Sequence, residues 1–381
     1  MPGIPANITI EGRTPATIKG RVAPLINTKQ SARGGFRAGD DSGGGGGSDP
    51  VGVIFSENFN DQPDFTSTMY STDGAQQARF GYTLPDNWDS LYNGTVWSPE
   101  QGYPDNHASL EILSANSDKA RGGVGKSAVN WRESYSKSWS NWASDSQFIK
   151  FLNADYEELY VEFYIRFSQN FYGRNNASNF ISKLFRLGHY RGTGNEFSAS
   201  KGDAGPMLYW DYKRDDYGVR NVFHLRGGPP GENYKFNNQY TTGGSDNFVS
   251  DLQGIGPNGQ DSTLIDVVNG GLMADFGSSA EHAQVYGPGE EWTKVAFYVR
   301  MNSSPTATDG IFRQYINDSM TVNWTDIPWV MENEGNRMVG WNFFAIGGND
   351  YFQPYPNEDR FEDWYAIDDI VVRASLPEGL L

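Results

Sequence analysis

The chain has no cysteine, so it can form no disulfide, present no thiolate nucleophile and hold no metal through sulfur. Histidine is nearly as scarce. His107, His189, His224 and His282 lie far apart, a spacing that does not point to a histidine-rich zinc site. No apolar run approaches the roughly 20 residues that a membrane-spanning helix needs. Positive charge is also short: 30 Lys and Arg against 47 Asp and Glu leave a formal net charge of −17. That balance argues against nucleic acid or an anionic membrane as a general partner and leaves room only for a local basic groove. The opening residues, MPGIPANITIEGRTPATIKG, do not combine a charged start, an apolar stretch and a small-residue cleavage site. The expectation is a chain without a secretory signal, made in the cytoplasm and acting on a particle surface or outside the cell after lysis.

What is abundant is glycine, 45 residues of 381, and aromatic side chains, 14% of the chain. Together they point to many short strands joined by turns, an all-β protein with no long amphipathic helix. Residues 1–49 stand apart. They are poor in aromatics, carry the basic set Arg13, Lys19, Arg21, Lys29, Arg33 and Arg37, and end in a run of glycines after Asp40 and Asp41. Such a composition cannot bury a core, so we read an extended arm and linker, with residues 1–40 able to attach the chain to a protein assembly by strand addition. Residues 51–375 read as one sandwich domain and 376–381 as a tail.

The strongest pattern is Tyr160-Val161-Glu162-Phe163-Tyr164-Ile165-Arg166-Phe167. Val161, Phe163, Ile165 and Phe167 fall on one side of an extended strand and Tyr160, Glu162, Tyr164 and Arg166 on the other. The first set suits a core. The second suits a sugar-binding groove or a solvated face, because tyrosine offers a flat apolar ring with a polar tip and the charged groups reach hydroxyls and carboxylates. Further strands are expected at 51–60, 183–190, 205–212, 220–226, 292–300, 310–317, 341–346 and 364–373, the 205–226 pair as a hairpin. Residues 70–142 and 227–289 read as loops and insertions, with Arg132 and Glu133 beside Trp131 as groove candidates. Pairing of the first strand with the last would bring Glu57 and Asp369 together, oxygen ligands suited to a structural Ca²⁺; no other cofactor is expected.

The order of motifs resembles a known family. YVEFYIRFSQNF, KLFRLG, GPMLYWDY, EWTKVAFYVRMNSSPTATDGIFRQYINDS, FFAIGGND and YAIDDIVV look like the concanavalin A-like jelly roll of family-14 polysaccharide lyases, which cleave alginate and glucuronan. The resemblance implies a two-sheet antiparallel sandwich with long loops. It also implies a groove lysine at Lys183. The family's serine falls on Gly205, its arginine on Met207, and its second-strand tyrosines near Val222 and His224, so the catalytic motif is only partly kept. A methionine in place of arginine removes the charge best able to clamp a carboxylate.

Two functions follow as expectations. The first is a non-catalytic glycan-binding or structural surface module, tethered by its arm to a larger assembly such as a viral particle or appendage, as a virion decoration protein would be. The alternative is a polysaccharide lyase acting on a uronate polymer by β-elimination, with Lys183, His189, Tyr209 and His224 as catalytic candidates. Glycan contacts are expected from Tyr160, Glu162, Tyr164, Arg166, Asp211 and Arg226, with a polysaccharide or cell-surface glycan as partner. Strand parity predicts one concave face shared by Tyr160, Glu162, Tyr164, Arg166, Lys183, Tyr209, Asp211 and His224.

Overall fold

The computed structural model describes residues 52–67, 84–93, 107–132, 142–172, 180–192, 204–215, 218–226, 233–236, 239–242, 282–330, 338–352 and 363–380. The arm of residues 1–49 lies outside the described residues. In chain order the strands are β1 (Val53–Glu57), β2 (Phe65–Thr66), β3 (Ser90–Asn93), β4 (Leu110–Ile112), β5 (Ala128–Trp131), β6 (Trp142–Tyr156), β7 (Glu158–Phe167), β8 (Phe180–Tyr190) and β9 (Ala204–Asp215). They continue as β10 (Gly218–Arg226), β11 (Asn233–Phe236), β12 (Gln239–Thr242), β13 (Thr293–Arg300), β14 (Gly310–Ile316), β15 (Ser319–Ile327), β16 (Trp341–Phe352) and β17 (Trp364–Arg373).

Two antiparallel sheets carry the fold. One runs β15-β14-β13-β7-β17-β5-β4-β2, with β1 also on β17; the other runs β10-β9-β8-β16-β6-β3. The expected closure of first strand on last is present: Val53 pairs with Arg373 and Glu57 with Ile370, while the opening half of β17 pairs with β5. The small β11-β12 hairpin stands apart from both sheets. This is the antiparallel sandwich that the alternating patterns require, each strand giving one apolar set to the space between the sheets.

That space is filled by aromatic rings. Phe163, Phe185, Trp210, Phe223 and Phe297 are wholly buried, and the Phe185 and Phe297 rings stack with centroids 4.7 Å apart across the two sheets. Burying each such side chain contributes about 1.5–3 kcal/mol from apolar area alone. Trp88 and Trp131, in the stretch read as loops, are buried as well, and Trp88 packs against Phe148 and Phe344.

Two consecutive strands break company. β7 and β8 follow one another through the short helix Gln169–Tyr172, yet β7 is central to the larger sheet and β8 belongs to the smaller one. The long strand β6, not among the strands expected from sequence, pairs with β16 and β3. Its signal is blurred because both faces are apolar: Phe148 packs in the central core and Ile149 in a separate cluster on the sheet's outer side.

Candidate functional site

The outer face of the six-stranded sheet holds the densest unusual chemistry. On β9, Leu208, Trp210 and Tyr212 point to the core, so Met207, Tyr209, Asp211 and Lys213 take the other side. Register does the rest. Asp211 lies opposite Lys183 of β8, Tyr209 lies opposite both Arg186 of β8 and His224 of β10, and Met207 lies opposite Gly188. Residues directly opposite share a face, so these strands deliver Lys183, Arg186, Tyr209, Asp211 and His224 to one surface.

His224 Nε2 lies 3.0 Å from Asp211 Oδ2. Asp211 is 1% exposed, and its Oδ1 has no hydrogen-bond partner among the described residues. The Arg186 guanidinium sits 4.6 Å from the centre of the Tyr209 ring, and both residues are buried. Lys183 and His224 are half-buried and are the more open members of the group. Beside them Tyr190 stacks on Phe151 with ring centroids 5.2 Å apart, an aromatic platform on the same face. Met207 is buried among Ile149, Tyr209, Phe343 and Ala345, so the position where the family's arginine falls offers packing and no charge.

The expectation of a single face is corrected. Tyr160, Glu162, Tyr164 and Arg166 do alternate out of the core, but β7 lies in the nine-stranded sheet, so they stand on the opposite side of the sandwich from Lys183, Tyr209, Asp211 and His224. They are also occupied there. Tyr160 is fully buried in a cluster against which Leu376 and Leu380 pack, and its hydroxyl donates to Glu162 at 2.7 Å. Burial and that carboxylate push the Tyr160 hydroxyl well above the usual tyrosine range. Glu162 also pairs with Lys294 at 3.0 Å. The Arg121 guanidinium covers the Tyr164 ring at 3.6 Å, and Arg166 donates to the Asp118 carbonyl while lying over Trp364. The segment from the 3₁₀ turn Ser114–Lys119 to Arg121 thus meets this face with its own cations, which is why four outward residues on β7 make no open groove.

Other expectations also shift. His189 is buried at the end of β8, its Nδ1 2.8 Å from the Gly340 carbonyl, away from the Asp211–His224 pair. For Arg226 only the backbone on β10 is described, opposite Met207. Arg132 is no groove residue: it is wholly buried and reaches between the sheets. Glu133 lies outside the described residues.

The acids proposed for Ca²⁺ have separate protein partners. Glu57 accepts from Phe59 N at 2.6 Å, Gln62 Nε2 at 2.6 Å and Trp88 Nε1 at 3.3 Å. Asp369 pairs with Arg121. Among the described residues no group of three or more His, Asp and Glu gathers to hold a metal. The carboxylate oxygens of Glu57 are turned to N–H donors, the opposite of what a cation needs.

Sequence reasoning missed Arg186, although it stands inside the quoted KLFRLG motif. Plain alternation from Lys183 would put Arg186 on the core side, and only a bulge in β8 brings both residues out.

No family profile matches the sequence, and no curated protein does. Among the described residues no helix is long and apolar enough to cross a membrane. Among solved structures the chain is similar to the marine PL-14 alginate lyase from Aplysia kurodai, at 10% identity over 84% of this chain and 98% of that one, with a TM-score of 0.42. It is similar to the alginate lyase Aly36B bound to an alginate trisaccharide, at 13% identity over 74% and 94% of the chains, TM-score 0.39. A third is the endo-β-1,4-glucuronan lyase from the fungus Trichoderma reesei, at 9% identity over 70% and 87%, TM-score 0.38. The polysaccharide-lyase likeness read from the motifs therefore recurs among solved structures as a distant one, and the sandwich itself rests on the strand pairing described above.

Proposed function

We propose that the chain takes a uronate-containing polysaccharide on the outer face of its six-stranded sheet and cleaves it by β-elimination. The observation that carries this reading is the Asp211–His224 pair at 3.0 Å, with Tyr209 opposite His224 and Lys183 opposite Asp211. In such a reaction a base takes the proton from C5 of the uronate. The C5–H electron pair becomes the C4–C5 double bond, and the C4–O4 bond breaks toward the leaving oxygen, which takes a proton.

Lys183 suits the carboxylate, whose charge must be neutralised before C5 can lose a proton. His224, its Nε2 held 3.0 Å from Asp211 Oδ2, is the candidate base. The Tyr209 hydroxyl is the candidate donor to the leaving oxygen. Arg186, stacked on Tyr209, restores a guanidinium to a face where Met207 supplies none.

A second reading, glycan binding without turnover, is favoured by Met207 and by the burial of Arg186 and Tyr209. Incubation with alginate and glucuronan, followed by the ultraviolet absorbance of the unsaturated product, separates the two. Turnover that disappears in Lys183→Ala and His224→Ala supports elimination; binding of either polymer with no absorbance change supports the second reading. In either case the basic arm of residues 1–40 is read as the attachment to a larger assembly, supported by its composition alone. Deleting residues 1–48 tests that part: the domain should keep its melting temperature and lose any copurifying assembly.

A further inference from the structure

Lys183 and Phe185 are two residues apart, a spacing that puts side chains on the same face of a regular strand. Here they are on opposite faces. Lys183 sits opposite Asp211 on the outside, Phe185 sits opposite Trp210 in the core, and the register of β8 against β9 shifts between them. Leu184 is the extra residue, wholly buried beside Phe185. A bulge therefore decides whether Lys183 meets the site or the core.

The strand on the other side of β8 is irregular at the same place. The register of β16 against β8 shifts between Ile346 and Asp350, across Gly347 and Gly348. A Cβ on Gly348 would lie 2.5 Å from the Lys183 Cβ and 2.5 Å from its carbonyl oxygen, so the bulge fits only against a residue without a side chain.

What holds these two irregular backbones is a buried chain of polar groups from the other sheet. The Tyr365 hydroxyl, on β17, donates to the Lys183 carbonyl at 3.2 Å. Arg132, just past β5, donates from Nη2 to the Tyr365 oxygen at 2.6 Å and to the Gly348 carbonyl at 3.0 Å, and its Nε lies 3.2 Å from Asp350 Oδ1. Arg132 and Asp350 are both wholly buried, and the Arg132 guanidinium also lies 4.8 Å from the Tyr365 ring centre. A buried charge is costly unless it is paired and hydrogen-bonded, and besides Asp350 and the adjacent Trp131 carbonyl Arg132 donates to Tyr365 and Gly348 around the bulge.

We propose that Arg132 and Tyr365 are positioning residues for Lys183: by fixing the β8 bulge and the Gly348 turn of β16 from behind, they hold Lys183 on the outer face. For its catalytic consequence the proposal rests on the elimination reading above. The bulge itself does not.

Tyr365→Phe removes the hydroxyl and keeps the ring among Phe167 and Phe171. Two readouts test it. Amide hydrogen exchange should show at least a tenfold loss of protection at Lys183, Leu184 and Phe185, with Phe297 on β13 unchanged. On alginate or glucuronan, kcat should fall about tenfold or more with KM nearly constant, and the same change made in Lys183→Ala should add nothing, since the two act through one group. Arg132→Lys, which keeps the charge toward Asp350 but not the fork, should reproduce both effects.

Unchanged protection at the bulge would overturn the proposal, as would rate losses that add fully to that of Lys183→Ala. Global unfolding of both variants would overturn it too, because the network would then be sustaining the sandwich as a whole. A wild-type chain with no turnover but with exchange behaving as expected would end the elimination reading and leave the positioning role standing.

Discussion

His224 and Asp211 meet across the β9-β10 ladder with a nitrogen-to-oxygen distance of 3.0 Å, although His224 stands directly opposite Tyr209 and reaches Asp211 on the diagonal. Diagonal neighbours on an antiparallel pair are within reach of long and aromatic side chains, so the contact is built by register alone. Asp211→Asn should leave the fold intact and remove the carboxylate that holds the His224 ring in place. The expected loss in kcat/KM on a uronate polymer is about 10²–10⁴-fold, the range of a general-base contribution. Comparing it with His224→Ala checks the pair: similar losses in the two single variants, with little further loss in the double, are the expected outcome.

Phe297 touches the core from the middle of the nine-stranded sheet, with Phe163, Phe185, Trp210 and Phe223 around it. Phe297→Ala should lower stability by about 3–5 kcal/mol, read from the midpoint of chemical unfolding, because a cavity there is walled by rigid rings on both sheets. Tyr164→Ala, on the outer face of the neighbouring strand, should cost far less.

Asp368 gives a pH dependence. Burial pushes its carboxyl up to about 7 from 3.8, against the pull of the Arg121 and Asp369 backbone N–H groups that it accepts at 2.9 and 2.8 Å. Over that interval the folded chain keeps a proton that the unfolded chain has released. The contribution is therefore full below 3.8 and is lost as pH rises through about 7. Asp368→Asn should remove this contribution, so that the stability difference between wild type and variant changes across the window by an amount on the order of a few kcal/mol. Melting temperatures at acid and mildly alkaline pH test it, and parallel wild-type and variant curves would count against it.

His282 slopes the other way. Burial holds its imidazole at about 3 instead of 6.5, beside the Tyr212 hydroxyl at 3.2 Å, so it stays neutral in the fold. As pH falls below 6.5 the unfolded chain takes up a proton that the folded chain refuses, and stability is lost toward about 3. His282→Gln should be less sensitive to acid than the wild type. Since Asp368 and His282 act oppositely over overlapping ranges, their slopes offset each other in the wild type, and each single variant should show the slope of the group it keeps.

Much of the fold was legible because alternation reports which side of its own sheet a residue occupies. Val161, Phe163, Ile165 and Phe167 are in the core as their spacing requires, and Tyr160 to Arg166 alternate outward. Alternation does not report which of two sheets a strand joins. β7 and β8 are consecutive and equally amphipathic, and nothing local marks that the chain changes sheets between Phe167 and Phe180. That single step divides Tyr164 from Lys183. The site was half legible for the same reason: Tyr209, Asp211 and His224 follow from the β9-β10 hairpin, whereas Arg186 depends on a bulge set by Arg132 and Tyr365, residues remote in sequence. Strand pairing put Glu57 beside β17 as foreseen, and there Gln62 and Trp88 donate to its carboxylate.

The place of β17 has a consequence for how the protein comes into being on the ribosome. It is synthesised after every other strand of its sheet, yet it lies between β7 on one side and β5 with β1 on the other. Until Trp364–Arg373 is in place, nothing joins β15-β14-β13-β7, β5-β4-β2 and the lone β1, and the edges of β7 and β5 are open. Insertion of this strand closes contacts between residues roughly two hundred positions apart, the kind of long-range pairing that makes folding slow. A nascent chain stalled before that point would display the unpaired edges of β7 and β5 to its neighbours.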